Sequence, residues 1–203
     1  MHAYRTRRRA LPQAGVRQHR KASGAVVRED AQVTIHSEHP FMPAEPDRSP
    51  VRRFRGRLAS PVTLWTSTHR ERPAGLTVSS VLVADGEPGY LVGILDPLSD
   101  LWDALRESGT AVVTMLDWQH RQLADQFGYV APAPGGPFAS GDWLETRWGP
   151  SLVGASAWAG CRLVDPPATR LGWGLQVQLE VEHVEIGEDS PPLIHRRGRY
   201  FQL

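Results

Sequence analysis

From Val51 to its last residue, the chain alternates short β-prone segments with turns that contain Gly or Pro. Short runs rich in Val, Leu, Thr and Tyr between such turns are typical of strands. We expect strands at residues 58–68, 75–84, 90–95, 110–116, 157–164, 172–186 and 199–202. Strands joined mostly by turns predict a mainly β fold, a six- to seven-stranded Greek-key β-barrel, rather than a parallel βαβ sheet.

Two helices interrupt this pattern, and we expect two or three peripheral helices in all. Asp96 followed by Pro97 is typical of an N-cap and the first helical residue, and the apolar stripe that follows ends at Gly109. Asp117 is expected to cap a second helix that Gly128 closes. Residues 129–150 then form a long loop rich in Pro, Gly and Trp, a type of loop that is usually functional.

The charge of the chain is unevenly distributed. Residues 1–28 hold eight Lys or Arg and no acidic residue, which leaves 15 basic against 22 acidic residues, a net charge of −7, in 29–203. Residues 1–50 lack hydrophobic periodicity, so we predict a basic, disordered extension followed by one folded domain at 51–203. The extension could bind nucleic acid, imitate a transit peptide, or precede a true start further downstream. The acidic remainder lacks the footprint of a nucleic-acid-binding domain.

Composition narrows the class of protein further. A single cysteine permits no intramolecular disulfide and fits a reducing cytoplasm. No apolar run reaches the roughly 20 residues that a membrane span needs. The eight histidines show no metal-ligand spacing, and neither a nucleotide-binding glycine motif nor a Gly-x-Ser-x-Gly elbow occurs. We therefore expect a cytoplasmic protein that has no metal site and does not act on membranes.

The stretch 72–80, Arg-Pro-Ala-Gly-Leu-Thr-Val-Ser-Ser, is the strongest candidate for a binding site. A Pro/Gly turn leads directly into a strand with three hydroxyl groups. Because successive side chains of a strand point to opposite faces, Thr77 and Ser79 share one face. Such a row of small donors and acceptors suits a flat polar ligand. The alternative is an edge strand with a solvated Thr/Ser face.

Five segments, in the same order, resemble those of the flavin reductase family, whose members fold as an FMN-binding split β-barrel. They are 57–66, 72–80, 122–127 with its Ala-x-x-Phe, 154–163 with its Ala-x-x-x-Cys, and 192–200. Together they span nearly all of residues 54–203. The resemblance implies contacts from Thr77, Val78, Ser79 and Ser80 to the ring and ribityl chain of a flavin. It also implies that Ser99 lies near the flavin phosphate, at a helix N-terminus.

The C-terminal segment carries the only candidate catalytic residue. The resemblance places His195 near the flavin, where it could orient the nicotinamide or protonate the flavin, and it implies that the arginines that follow, Arg197 among them, grip a phosphate. The implied cofactors are FMN, or FAD or riboflavin in its place, with NADH or NADPH as hydride donor. The alternative for this segment is a solvated final strand.

The resemblance thus implies an NAD(P)H-dependent FMN reductase that forms a homodimer and supplies reduced flavin to a separate monooxygenase. A second hypothesis is a non-catalytic flavin-, haem- or deazaflavin-binding protein on the same barrel. Two departures favour it: residues 81–88 replace a serine-rich run of the family, and of its Ser-x-Thr only Ser99 is kept. A third hypothesis is a nucleic-acid-associated protein that works through the basic extension.

Overall fold

The computed structural model describes residues 49–203, and every structural statement below refers to that part of the chain. The prediction of a disordered extension falls, for residues 1–48, outside it. Three α-helices occur: α1 (Pro50–Arg55), α2 (Asp100–Ser108) and α3 (Arg121–Phe127). The strands are β1 (Ser60–Pro61), β2 (Thr63–His69), β3 (Arg72–Val78), β4 (Val81–Ala84), β5 (Tyr90–Leu95), β6 (Thr110–Met115), β7 (Trp143–Thr146), β8 (Gly149–Leu152), β9 (Ala157–Leu163), β10 (Thr169–Leu171), β11 (Gly174–Ile186), β12 (Leu193–Arg196) and β13 (Arg199–Gln202).

One large antiparallel sheet dominates the fold. Its strands follow the order β3-β2-β6-β9-β11-β5-β4, and β10 pairs with β11 outside this path. Strands β3 and β4 are the two edges of the sheet, yet only Ser79 and Ser80 separate them in the chain. The sheet must therefore curl until its two edges come close at this point, which we call the sheet break (Ser79 and Ser80). Two small sheets, β1-β12-β13 and β7-β8, complete the structure.

Two buried clusters hold the sheet and helices together. Inside the curl, Trp65 packs with Leu91, Leu101, Leu105 and Val177, so that α2 closes one side. The second cluster lies under α3 and contains Val62, Leu64, Leu123, Phe127 and Leu193. Phe127 lies so close to β3 that a Cβ on Gly75 would stand 2.6 Å from its ring, so only glycine fits there. The mainly β class with three helices is confirmed, with more and shorter strands than predicted.

The predicted start of α2 was wrong. Ser99, not Asp96, is the N-cap, because its Oγ accepts a hydrogen bond from the backbone N–H of Trp102 at 3.3 Å. The Asp96 carboxylate instead accepts from the N–H of Leu98 at 2.9 Å, in the turn before the helix. The predicted end at Gly109 is confirmed, with a φ of 74° that suits a residue without Cβ.

Two stretches differ from the expected strands. The predicted strand 75–84 is two strands, β3 and β4, interrupted at the sheet break. Residues 129–150, which were predicted to be a loop, contain most of the hairpin β7–β8. Their high proline and glycine content is typical of a loop, so the sequence did not indicate these strands. After Asp117, a one-turn 3-10 helix (Trp118–His120) leads into α3, as the predicted cap implies. None of the helices described is long and apolar enough to cross a bilayer.

Candidate functional site

The first four predicted site residues are consecutive and include the sheet break, which lies against the end of β5. Thr77 and Val78 close β3, and Ser79 and Ser80 form the break itself. The Ser80 hydroxyl donates to the carbonyl of Ile94 at 2.9 Å, and the N–H of Ile94 reaches both Oγ and the carbonyl of Ser80 at 3.3 Å. Ser80 therefore fixes the break against β5, just before the turn that leads to α2.

Of the hydroxyls along this stretch, Ser79 is the one available for a ligand. The Thr77 hydroxyl donates to the carbonyl of Ala124 in α3 at 2.8 Å, and the carbonyl of Val78 accepts from the Thr63 hydroxyl at 2.7 Å. The half-buried side chain of Ser79 makes no hydrogen bond with the described residues. Thr77 and Val78 thus support the site through hydrogen bonds to α3 and β2, while Ser79 keeps its full hydrogen-bonding capacity.

The N-terminus of α2 lies at the end of the same turn. The Ser99 hydroxyl is buried and already engaged, since it donates to the carbonyl of Asp96 at 2.7 Å while capping the helix. The N–H of Trp102 is taken by the Ser99 hydroxyl, which leaves the N–H groups of Asp100 and Leu101 as those that could meet an anion. However, Asp100 and Asp103 lie in the first turn and Asp96 precedes it, so negative charge surrounds these N–H groups. A phosphate dianion is therefore poorly matched to this helix N-terminus.

His195 lies in β12, where it is opposite Ser60 of β1 and Tyr200 of β13. Its ring meets that of Tyr200 edge-on, with 5.9 Å between centroids. Burial and the nearby Arg55 guanidinium lower the pKa of His195 from its ordinary value of 6.5, and the Asp125 carboxylate opposes this in part. The imidazole is consequently mostly neutral at pH 7.

Arg197 lies in the turn between β12 and β13, with φ of 54° beside Gly198 at 75°. Its N–H donates to the carbonyl of Gly56 at 2.8 Å, which ties the turn to the end of α1. The exposed guanidinium makes no hydrogen bond or ion pair with the described residues. It is free to meet an anion, but nothing fixes it in place.

Helix α3 links the two parts of the predicted site. The carbonyl of Ala124 accepts from Thr77, and the next residue, Asp125, accepts a hydrogen bond from the Tyr200 hydroxyl and faces His195. Thr77 directly, and His195 through Tyr200, are thus linked to α3, whereas Ser99 lies at the start of α2 and Arg197 lies in the turn tied to α1. Sequence reasoning missed Asp125 and Tyr200, although both fall in segments that resemble the family.

Asp117, His120 and Ser156 form a polar cluster before α3 that has the residue types of a catalytic triad but a different hydrogen-bond pattern. Asp117, 1% exposed, accepts from the hydroxyl of Ser156 at 2.7 Å and from its N–H at 3.2 Å. The Nδ1 atom of His120 accepts the N–H of Asp117 at 3.1 Å, and burial lowers the pKa of this histidine. The serine therefore bonds the carboxylate and not the imidazole, so this cluster is a helix cap. Within residues 49–203, no group of three or more His, Cys, Asp or Glu could hold a metal ion.

The curled antiparallel sheet, with the Ser79 hydroxyl at its break and the half-buried His195 in β12, defines a mainly β protein with one candidate ligand site. The family model described as "Flavin reductase like domain" matches residues 55–203, most of the chain. The protein therefore belongs to the flavin reductase family.

Two relatives and one solved structure illustrate the similarity. The chain is 31% identical over 158 residues to "FMN reductase (NADH) RutF 1" of Methylorubrum extorquens (strain PA1), with 77% of each chain covered. It is 26% identical over 121 residues to "Flavin-dependent monooxygenase, reductase subunit HsaB" of Mycobacterium tuberculosis, covering 59% of this chain and 63% of that one. The crystal structure of nitrilotriacetate monooxygenase component B from Mycobacterium thermoresistibile superposes with a TM-score of 0.69 at 25% identity, covering 75% of this chain and 84% of that one.

Proposed function

We propose that this protein is an oxidoreductase that uses NADH to reduce FMN. The observation that carries the proposal is the sheet break at the end of the stretch 72–80, where the Ser79 hydroxyl has no partner among the described residues. The chain that contains this break matches the flavin reductase family. A relative of the same family is named an FMN reductase that uses NADH. When bound, FMN supplies an isoalloxazine ring that accepts a hydride from the nicotinamide and a proton from solvent or a side chain.

The chain's own residues divide the work between binding and orientation. Ser79 would hold the ring and ribityl chain at the break that Val78 and Ser80 keep in shape, and His195 would orient the nicotinamide as a neutral hydrogen-bonding group. The carboxylates at the start of α2 disfavour a tightly held phosphate. FMN is thus an exchanging substrate that leaves after reduction, and FAD or riboflavin, which carry the same ring, are alternative substrates. NADPH is the alternative donor, and the exposed Arg197 is the candidate to meet its extra phosphate.

We also propose a separate monooxygenase as the recipient of the reduced flavin. HsaB is named a reductase subunit of such an enzyme, and the nitrilotriacetate protein is named a monooxygenase component. An exchanging flavin is what a two-component system requires. A cytoplasmic location, where nicotinamide cofactors are supplied, belongs to the same proposal.

A homodimer forms part of the proposal because apolar side chains are exposed around the sheet break. Leu82 and Val83 on the edge strand β4 are 72% and 74% exposed, and Leu98 and Trp173 are 90% and 93% exposed. The strand edge would also offer unpaired backbone groups to a neighbour. Apolar patches of this kind usually mark an interface.

If the protein is a dimer through this surface, the double variant Leu82→Asp, Val83→Lys should be a monomer. We expect sedimentation equilibrium to show a dimer for the natural chain and a monomer for this double variant. Ile186→Lys is the control, because Ile186 is similarly exposed but lies far from the sheet break. It is ten residues along β11 from Gln176, which pairs with Ile94, and ten extended residues span roughly 33 Å. A natural chain that sediments as a monomer would contradict the dimer.

Ser79→Ala is expected to weaken FMN binding about 5- to 10-fold, the worth of one hydrogen bond, without changing the free energy of unfolding by more than about 0.5 kcal/mol. Thr77→Val, in contrast, removes the bond to Ala124 and should cost about 1 kcal/mol of stability. Flavin fluorescence titration and urea unfolding measure the two effects, with Ser190→Ala in the loop before β12 as the control. An FMN affinity that is unchanged in Ser79→Ala would remove Ser79 from the site.

A further inference from the structure

Tyr200 joins the C-terminal hairpin to α3. Its ring packs against the buried cluster under α3, which contains Leu64 and Phe127, while its hydroxyl donates to the Asp125 carboxylate. Burial and this carboxylate both raise the pKa of Tyr200, so the phenol keeps its proton and remains a donor. The core thus anchors one end of the side chain and the helix anchors the other.

His195 depends on this arrangement for its orientation. Ser60, His195 and Tyr200 are directly opposite one another across β1, β12 and β13, so the three side chains lie on one face of the small sheet. The Tyr200 ring meets the imidazole edge-on at an interplanar angle of 67°. Asp125 follows Ala124, whose carbonyl is bonded to Thr77 at the end of β3. One helix therefore sets the position of both the break and the histidine.

We propose that Asp125 and Tyr200 are positioning residues that hold His195 in the orientation needed to meet the hydride donor. This inference rests on the proposed function, which gives His195 its role.

The charges around His195 make the proposal measurable. Arg55 of α1 and Asp125 of α3 face it with opposite signs, and Tyr200 of β13 stays neutral. Burial and Arg55 lower the pKa of His195, whereas Asp125 raises it. Removing the Asp125 charge leaves Arg55 unopposed, so the pKa of His195 falls further. The neutral form of His195 then persists to lower pH. If His195 causes the decline of kcat/KM for NADH on the acid side, that decline also shifts to lower pH.

The test uses the full chain with Asp125→Asn, which removes the charge at nearly constant size, and Tyr200→Phe, which removes only the hydroxyl. Asp189→Asn, at an exposed carboxylate before β12, is the control. NMR titration follows the His195 imidazole, and steady-state kinetics follow kcat/KM for NADH at saturating FMN. We expect a lower pKa of His195 in Asp125→Asn, and a roughly tenfold loss of kcat/KM for NADH in both variants with KM for FMN unchanged.

Two results would overturn the inference. One is a His195 titration that is the same in Asp125→Asn as in the natural chain. The other is a shifted titration with kcat/KM for NADH within twofold of the natural chain in both variants, because the pair would then not serve the reaction. If the natural chain itself fails to reduce FMN, the proposed function fails. An unchanged NMR signal of His195 in both variants would separately show that Asp125 and Tyr200 do not position His195.

Discussion

His195→Ala should lower kcat/KM for NADH by about 100-fold while FMN affinity stays within about twofold, because a misplaced reactant costs a reaction on the order of 10²-fold. The side chain is half-buried beside Tyr200 and makes no hydrogen bond with Ser79, so its loss removes a contact to the donor and leaves the Ser79 hydroxyl in place. His195→Gln, which can still form a neutral hydrogen bond, should keep more activity than the alanine variant.

The pH dependence follows from the environment of His195. Burial and Arg55 lower its pKa below 6.5, so the neutral imidazole is present at pH 7 and is lost as the pH falls through that lowered pKa. If the neutral form orients the nicotinamide, kcat/KM for NADH is constant from neutral to mildly alkaline pH and declines on the acid side. His195→Ala should lack this acid limb. Activity in His195→Ala within threefold of the natural chain would show that the histidine has no such role.

Gly160→Ala should lower the free energy of unfolding by about 3 kcal/mol, the upper end of the usual cost of overpacking. A Cβ at Gly160 would lie 2.7 Å from Cε2 of Trp148 and closer still to two other ring atoms. The indole cannot move cheaply, because its Nε1–H donates to Glu182 at 2.8 Å and its ring stacks on His183 with 5.3 Å between centroids. Relief would therefore require breaking those contacts or shifting β9.

The matched control for that variant is Gly187→Ala. An added Cβ there meets its nearest atoms at 3.6 Å, an ordinary contact, so the free energy of unfolding should change by less than about 1 kcal/mol. Urea unfolding of both variants gives the comparison. If Gly160→Ala is as stable as the natural chain, Trp148 does not pack on Gly160 as described.

Local chemistry made much of the fold predictable. The predicted strand at Tyr90–Leu95 and the predicted helix end at Gly109 needed no correction. Both depend on residues close together in the chain, namely a short apolar run for the strand and a glycine that adopts positive φ for the helix end. The start of α2 was predicted wrongly because Asp96, followed by Pro97, and Ser99 are both suitable N-cap residues. The hydroxyl of Ser99 reaches the Trp102 N–H, whereas Asp96 stabilises the preceding turn. Sequence alone does not decide between two adjacent caps.

The site was predictable only in part, for a physical reason. Thr77, Ser79 and Ser80 look equivalent in sequence, but tertiary contacts engage the first with Ala124 and the third with Ile94. The link from Tyr200 to Asp125 spans distant parts of the chain and leaves no local pattern. Whether the predicted site residues bind flavin stays a prediction, to be decided by the Ser79 and His195 variants.

The most direct test of the central claim is an anaerobic assay with a trace of purified protein and excess FMN and NADH, following the loss of oxidised-flavin absorbance. The proposed function predicts that each protein molecule reduces many FMN molecules, well above a mixture without protein. NADPH in place of NADH shows the donor preference. Tight FMN binding with no loss of absorbance by either donor would contradict the reductase and favour a flavin-binding protein without turnover.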